Sequence, residues 1–102
     1  MCGRYTVRSP GKKLAEHFGL AEAPSLEPRY NIAPSQDVPV VVERGARREL
    51  TLFQWGLIPS WSKEPKGFIN ARAETLDEKP SFSESFQQRR CLILADGFYE
   101  FM

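Results

Sequence analysis

An α+β fold dominated by strands is what this sequence predicts: a β-barrel-like curled sheet flanked by short helices. Three observations lead there. The stretch "DVPVVVERGARRELTLFQW" reads as two strands around a tight turn. "SPGKKLAEHFG" holds the start, period and stop signals of one short helix. Further β-favouring runs, "GRYTV", "CLILAD" and "GFYEF", stand near the two ends of the chain, with proline- and glycine-rich connections between.

In chain order, Gly3 to Val7 is a short strand by its tyrosine, threonine and valine. The helix that follows has Ser9 as N-cap, Pro10 at its first position and Gly19 as its C-terminal stop, with Leu14, Ala15 and Phe18 on one apolar face. His17 lies in this helix and reads as a surface or half-buried residue. Residues 21–36, "AEAPSLEPRYNIAPSQ", carry three prolines and no consistent period, and read as irregular.

Asp37 to Glu43 and Arg48 to Trp55 form the hairpin, and Pro39 implies an edge position or a bulge. "GLIPSWSKEPKG" is a long loop with Trp61 exposed, and "FINARAET" a short extended segment. "PSFSESFQQ" predicts a short helix with Phe82 and Phe86 as its buried pair. "CLILAD" reads as a buried strand with Cys91 as a core thiol, Asp96–Gly97 as a turn, and "GFYEF" as the start of another strand. The chain stops within that apolar segment, so the sheet is expected to be incomplete, the 102 residues being the N-terminal part of a single domain.

Hydrophobic residues at 41% and charged residues at 26% describe an ordinary globular chain rather than a disordered one. No apolar run approaches the ~20 residues that cross a bilayer, and "MCGRYTVRSPGKK" lacks the apolar core of a secretory signal. A cytoplasmic location, or a nuclear one in a eukaryote, is the default expectation. Two cysteines and one histidine give neither a disulfide scaffold nor a metal-ligand pattern, and no cofactor is implied. A net charge of +1 announces no nucleic-acid partner by itself.

Cys2 is the first chemical candidate. Removal of Met1 would leave a free α-amine and a thiol on adjacent carbons, both partly nucleophilic at neutral pH. Such an aminothiol condenses with an aldehyde to an imine, and the thiolate then closes a five-membered thiazolidine. Without that processing Cys2 is a small apolar strand residue. Glu100 stands between Tyr99 and Phe101, where partial desolvation would suit it to proton transfer; strand alternation also allows it simply to face solvent. Asn70 and Arg72 alternate on an extended segment and share a face, a polar pair suited to orienting an oxygen or binding phosphate, or to capping loops. Arg4, Trp55, Trp61 and Lys63 could serve single-stranded nucleic acid, Trp61 being the better stacking candidate and Trp55 a core residue.

Taken together, "MCGRYT", "RYNIAPSQ", "FQWGLIPSW", "INARAET" and "CLILADGFYEF" resemble the SOS response-associated peptidase family of abasic-site-processing proteins, in the same order along the whole chain. The resemblance implies a central barrel-like sheet and a covalent reaction with abasic sites in single-stranded DNA. It implies Cys2 as nucleophile after Met1 removal, Asn70 orienting the N-terminus and sugar, and Glu100 moving protons. Arg4 and Arg72 then contact phosphates, and Trp61 packs against the strand. It further implies a monomer with single-stranded DNA as partner and no membrane, and a peptidase activity that amounts to self-removal of Met1. Two departures stand out: the family's later active-site histidine has no counterpart here, since His17 lies in another motif, and Phe101 replaces the usual tryptophan. An N-terminal-nucleophile amidohydrolase, which also begins Cys-Gly, and a non-catalytic DNA-binding fragment are the alternative readings.

Overall fold

The computed structural model describes residues 3–63 and 67–100. Nine short elements follow one another among them: β1 (Tyr5–Val7), α1 (Gly11–Phe18), β2 (Arg29–Ile32), β3 (Asp37–Arg44), β4 (Arg47–Gln54), a 3₁₀ turn (Ala73–Thr75), α2 (Ser83–Gln88), β5 (Leu92–Ile93) and β6 (Gly97–Phe98). The strands form two separate antiparallel sheets of three, ordered β2-β1-β6 and β4-β3-β5. The α+β class is therefore as expected, but the described strands close no barrel.

The β3–β4 hairpin is the longest element pair. Its register runs unbroken from Asp37 opposite Gln54 to Arg44 opposite Arg47, and Gly45, at φ 65°, opens the two-residue turn. A positive φ at this position is what such hairpin turns require, and glycine meets it without steric cost. Trp55 prolongs the ladder beyond the strand, donating its N–H to Gln36 O (2.9 Å) and accepting from the Ser35 N–H (2.9 Å).

Contrary to the edge or bulge expected of Pro39, β3 is the central strand and carries no bulge. The reason is directional. Pro39 O accepts the Leu94 N–H (3.2 Å), so the missing Pro39 N–H faces the same side, toward β5. The β4 ladder is untouched, and β5 pairs only at Val40–Ile93 and Val41–Leu92, stopping where proline cannot donate back.

The core is small: Tyr5, Val7, Leu14, Ile32, Val38, Val40, Val41 and Leu94. Residues 38–41 are buried consecutively because β3 is covered on both faces. Helix α1 contributes Leu14, with Phe18 packed beside it, and ends as expected at Gly19 in the left-handed region (φ 68°). Its start differs from expectation, since Ser9 caps nothing in the helix. Gly11 permits a close approach: a Cβ there would lie 1.8 Å from Pro24 O. His17 is exposed and stands edge-on to Phe18 at 4.7 Å between ring centres.

Strand β2 was not expected in the irregular segment. Only Ile32 of its four residues is buried, so it has no alternating signal and forms through its pairing with β1. "CLILAD" also departs from expectation: Leu94 alone is buried, while Leu92 and Ile93 are 55% and 56% exposed and Cys91 is exposed. No described element covers that side of β5. Phe82 and Phe86 do not form a buried pair either. Phe82 stands edge-on to Phe68 at 5.5 Å, and Phe86 lies beneath the Arg90 guanidinium at 5.7 Å.

Candidate functional site around the first strand

Tyr5 and Val7 are buried, which by strand alternation turns Arg4 and Thr6 to the other face of β1. Arg4 is exposed, and one guanidinium nitrogen donates to Asn31 Oδ1 at 3.1 Å. Its backbone is held from the other side, where Arg4 O accepts the Tyr99 N–H at 3.0 Å. The Tyr99 hydroxyl then reaches across β1 to donate to Tyr30 O at 2.9 Å. Arg4 is thus braced by both neighbouring strands.

Strand β6 pairs with β1 as Tyr5 opposite Phe98 and Thr6 opposite Gly97. The bond from Tyr99 to Arg4 carries that register one step further. Glu100 follows Tyr99 directly, beyond that cross-strand bond, as Gly3 precedes Arg4. Cys2 itself lies outside the described residues. Glu100 is exposed; of the two aromatic residues expected to enclose it, Tyr99 is 48% exposed and Phe101 lies outside the described residues.

Between the two sheets lies a hollow of about 400 Å³, lined chiefly by apolar side chains from both, with Asn70 as its polar member. Tyr5 and Phe98, which stand opposite each other in the β1–β6 pair, line it as well. The structure therefore brings Asn70 to a hollow shared with Tyr5 of β1 and Phe98 of β6. Arg72 and Trp61 are not among the residues of this hollow. Arg72 is exposed at the start of the 3₁₀ turn, and Trp61 is 63% exposed in its loop, as expected.

That loop is pinned at its base. Leu57 and Phe68 exchange two backbone hydrogen bonds (2.8 and 2.9 Å), and Gly56 and Gly67 pass so closely that a Cβ on Gly67 would stand 2.6 Å from Gly56 C. Trp55 closes the wall between the sheets, edge-on to Tyr5 at 5.4 Å, with its indole N–H donating to Ile69 O at 3.4 Å.

Asp96 is the residue whose role the sequence reading did not foresee beyond a turn. Its Oδ1 accepts the Thr6 hydroxyl at 2.7 Å; its Oδ2 accepts the Arg8 N–H (2.7 Å), the Ser9 N–H (2.9 Å) and the Ser9 hydroxyl (2.9 Å). Desolvation raises its carboxyl, but these donors together more than offset that and leave it at about 2. Ser9 is spent here rather than on the helix. Elsewhere, partial burial pushes the Cys91 thiol above its ordinary value even though the residue as a whole is exposed. No cluster of three potential metal ligands occurs among the described residues, and no described helix is long and apolar enough to cross a membrane.

Fold and site together define a small antiparallel α+β protein whose first strand is held by polar contacts, Arg4 with Asn31 and Tyr99 before it and Asp96 with Thr6, Arg8 and Ser9 along and after it. The chain belongs to the SOS response associated peptidase (SRAP) family, whose model matches residues 1–102. It is 46% identical over 106 residues to the Bacillus subtilis "Abasic site processing protein YoqW", covering 98% of this chain and 47% of that one. It is 37% identical over 127 residues to the "Abasic site processing protein HMCES" of Pongo abelii, covering 98% of this chain and 36% of that one. An X-ray crystal structure of a Bordetella bronchiseptica protein shares the fold with a TM-score of 0.77 at 24% identity, covering 97% of this chain and 50% of the other. The chain thus spans about half the length, or less, of the relatives it matches.

Proposed function

We propose that this chain is the nucleophile-bearing part of a DNA-damage protein that crosslinks itself to abasic sites in single-stranded DNA. The observation that carries the reading is the β1–β6 pairing, extended by the Tyr99 N–H to Arg4 O bond, which brings the segment leading to Glu100 alongside the segment that follows Cys2 in the chain. The names of the relatives support the substrate class.

Once Met1 is removed, the Cys2 amine attacks the open-chain aldehyde of the abasic sugar. Loss of water gives an imine, and the thiolate adds to the imine carbon while the nitrogen takes up a proton, closing a thiazolidine. Glu100 moves the protons of the imine step. Asn70, at the edge of the inter-sheet hollow, orients the sugar. Arg4, braced by Asn31, and Arg72 meet phosphates, and Trp61 offers a stacking surface to the strand. Self-removal of Met1 is the peptidase step of the same site. The near-neutral net charge fits a protein that relies on a few arginines and a covalent bond rather than a broad basic face.

The test uses the intact protein, a single-stranded oligonucleotide with one abasic site, and a denaturing gel. A heat-stable adduct that disappears in Cys2→Ala is expected. An adduct that survives Cys2→Ala, or salt-sensitive binding with no covalent product, overturns the reading, the second in favour of a non-catalytic DNA-binding module.

A further inference from the structure

We propose that Asp96 is a positioning residue that sets the register of Glu100 against the start of β1, an inference that rests on the crosslinking role just described. β6 is only two residues long, and Gly97 brings no side chain to hold it. Short strands of this kind specify their register weakly, and a slip of one residue would turn Glu100 to the opposite face. Register must therefore be imposed from outside the strand.

Asp96 does so immediately before β6. Its carboxylate accepts four hydrogen bonds from three residues, Thr6 within β1 and Arg8 and Ser9 just after it. Its own N–H donates to Thr6 O at 2.9 Å, so backbone and side chain grip the same place. A slip of β6 by one residue would carry the carboxylate about 3.3 Å along β1 and break all four contacts. Tyr99, anchored to Arg4 O and Tyr30 O, fixes the far end of the segment. Between these two anchors lies Phe98, and Glu100 follows directly. The ionised form is the one that can accept from every donor present, in keeping with a carboxyl lowered to about 2.

Two measurements on the intact protein test this, with Asp96→Ala and the near-isosteric Asp96→Asn, which keeps one acceptor oxygen. Amide hydrogen exchange reads the register: the Tyr99 N–H should lose protection by about tenfold or more in Asp96→Ala, while amides of the β3–β4 ladder stay unchanged. Single-turnover crosslinking reads the consequence. At saturating abasic oligonucleotide the rate should fall roughly tenfold or more, with half-saturation moving less than about twofold. Asp96→Asn should lie between Asp96→Ala and the parent in both. Leu14→Ala, a core truncation in α1, serves as the stability control and should leave the saturating rate unchanged where the protein remains folded.

Unchanged Tyr99 protection in both Asp96 variants overturns the proposal. So does lost protection with an unchanged saturating rate, or an equal slowing in Leu14→Ala. A parent protein that forms no adduct overturns the crosslinking role instead, and the exchange data then still decide whether Asp96 holds the register.

Discussion

The two sheets are built by different means. In the β4-β3-β5 sheet, eight consecutive pairs align one hairpin, and Val38, Val40 and Val41 bury its centre. Its register follows from a turn and an apolar pattern. The cross-strand ion pairs Glu43–Arg48 (3.5 Å) and Arg44–Glu49 (3.6 Å) are exposed and add roughly 0.2–1 kcal/mol each at most. In the β2-β1-β6 sheet no strand exceeds four residues. There the alignment is held by side chains: Asp96 on Thr6, Arg8 and Ser9, Tyr99 on Tyr30, Arg4 on Asn31. The candidate site lies on the second sheet. One sheet supplies a rigid wall, and the other supplies polar groups whose placement depends on a few named bonds.

The largest expected effect comes from removing what the sheets share. Leu94 is 1% exposed, follows β5, precedes β6 and is bonded to Pro39 O. Leu94→Ala should cost about 2–5 kcal/mol by urea denaturation and weaken both sheets together. If exchange shows only one sheet loosened, the sheets are less coupled than this contact implies.

Gly67→Ala comes next. The added carbon would meet the Gly56 backbone rather than a movable side-chain end. A cost of about 1–3 kcal/mol is expected, with loss of exchange protection at Leu57 and Phe68 and a blue or red shift of Trp61 fluorescence as its loop is released. Intact Leu57 and Phe68 protection would show that the loop has another anchor.

Acid should separate the two sheets. The Asp96 carboxyl is lowered from its ordinary value to about 2, so its contribution is fully present above about pH 4 and is lost as pH falls through about 2. Over that window Tyr99 and Asp96 amides should lose protection before those of the β3–β4 ladder, and Asp96→Asn should flatten the difference. Simultaneous loss in both sheets would show that their registers are held in the same way.

Ser35 gives the smallest effect. It holds φ at 73°, where a non-glycine residue is strained, and links the loop to Trp55 O. Ser35→Gly relieves that strain but adds freedom to the unfolded chain, so a change within about 1 kcal/mol is expected by thermal melting, whereas Ser35→Val should destabilise.

Local signals located the parts whose structure is local. The α1 stop at Gly19, the β3–β4 hairpin and the exposed Trp61 loop each follow from residues within a short window. β2 escaped notice because its reason for being a strand lies in β1, more than twenty residues away. Nothing near Asp96 in the sequence marks more than a turn, because its donors stand 87 to 90 residues earlier in the chain. The burial expected of Cys91, Leu92 and Ile93 rested on their apolar character, but burial also requires a covering element, which composition cannot supply. Of the site, residue types and motif order were legible, while the meeting of Asn70 with the β1–β6 pair was not.

What the sequence alone determined, then, is the family, the hairpin, the helix and the identity of the groups able to do chemistry. Those depend on side-chain type and near spacing. Tertiary structure alone decided that Pro39 sits in a central strand, that the described strands form two sheets and not one closed barrel, and that Tyr5 pairs with Phe98. Each of these depends on which distant segments pair and in what register, and that choice is made by contacts between residues the chain keeps far apart.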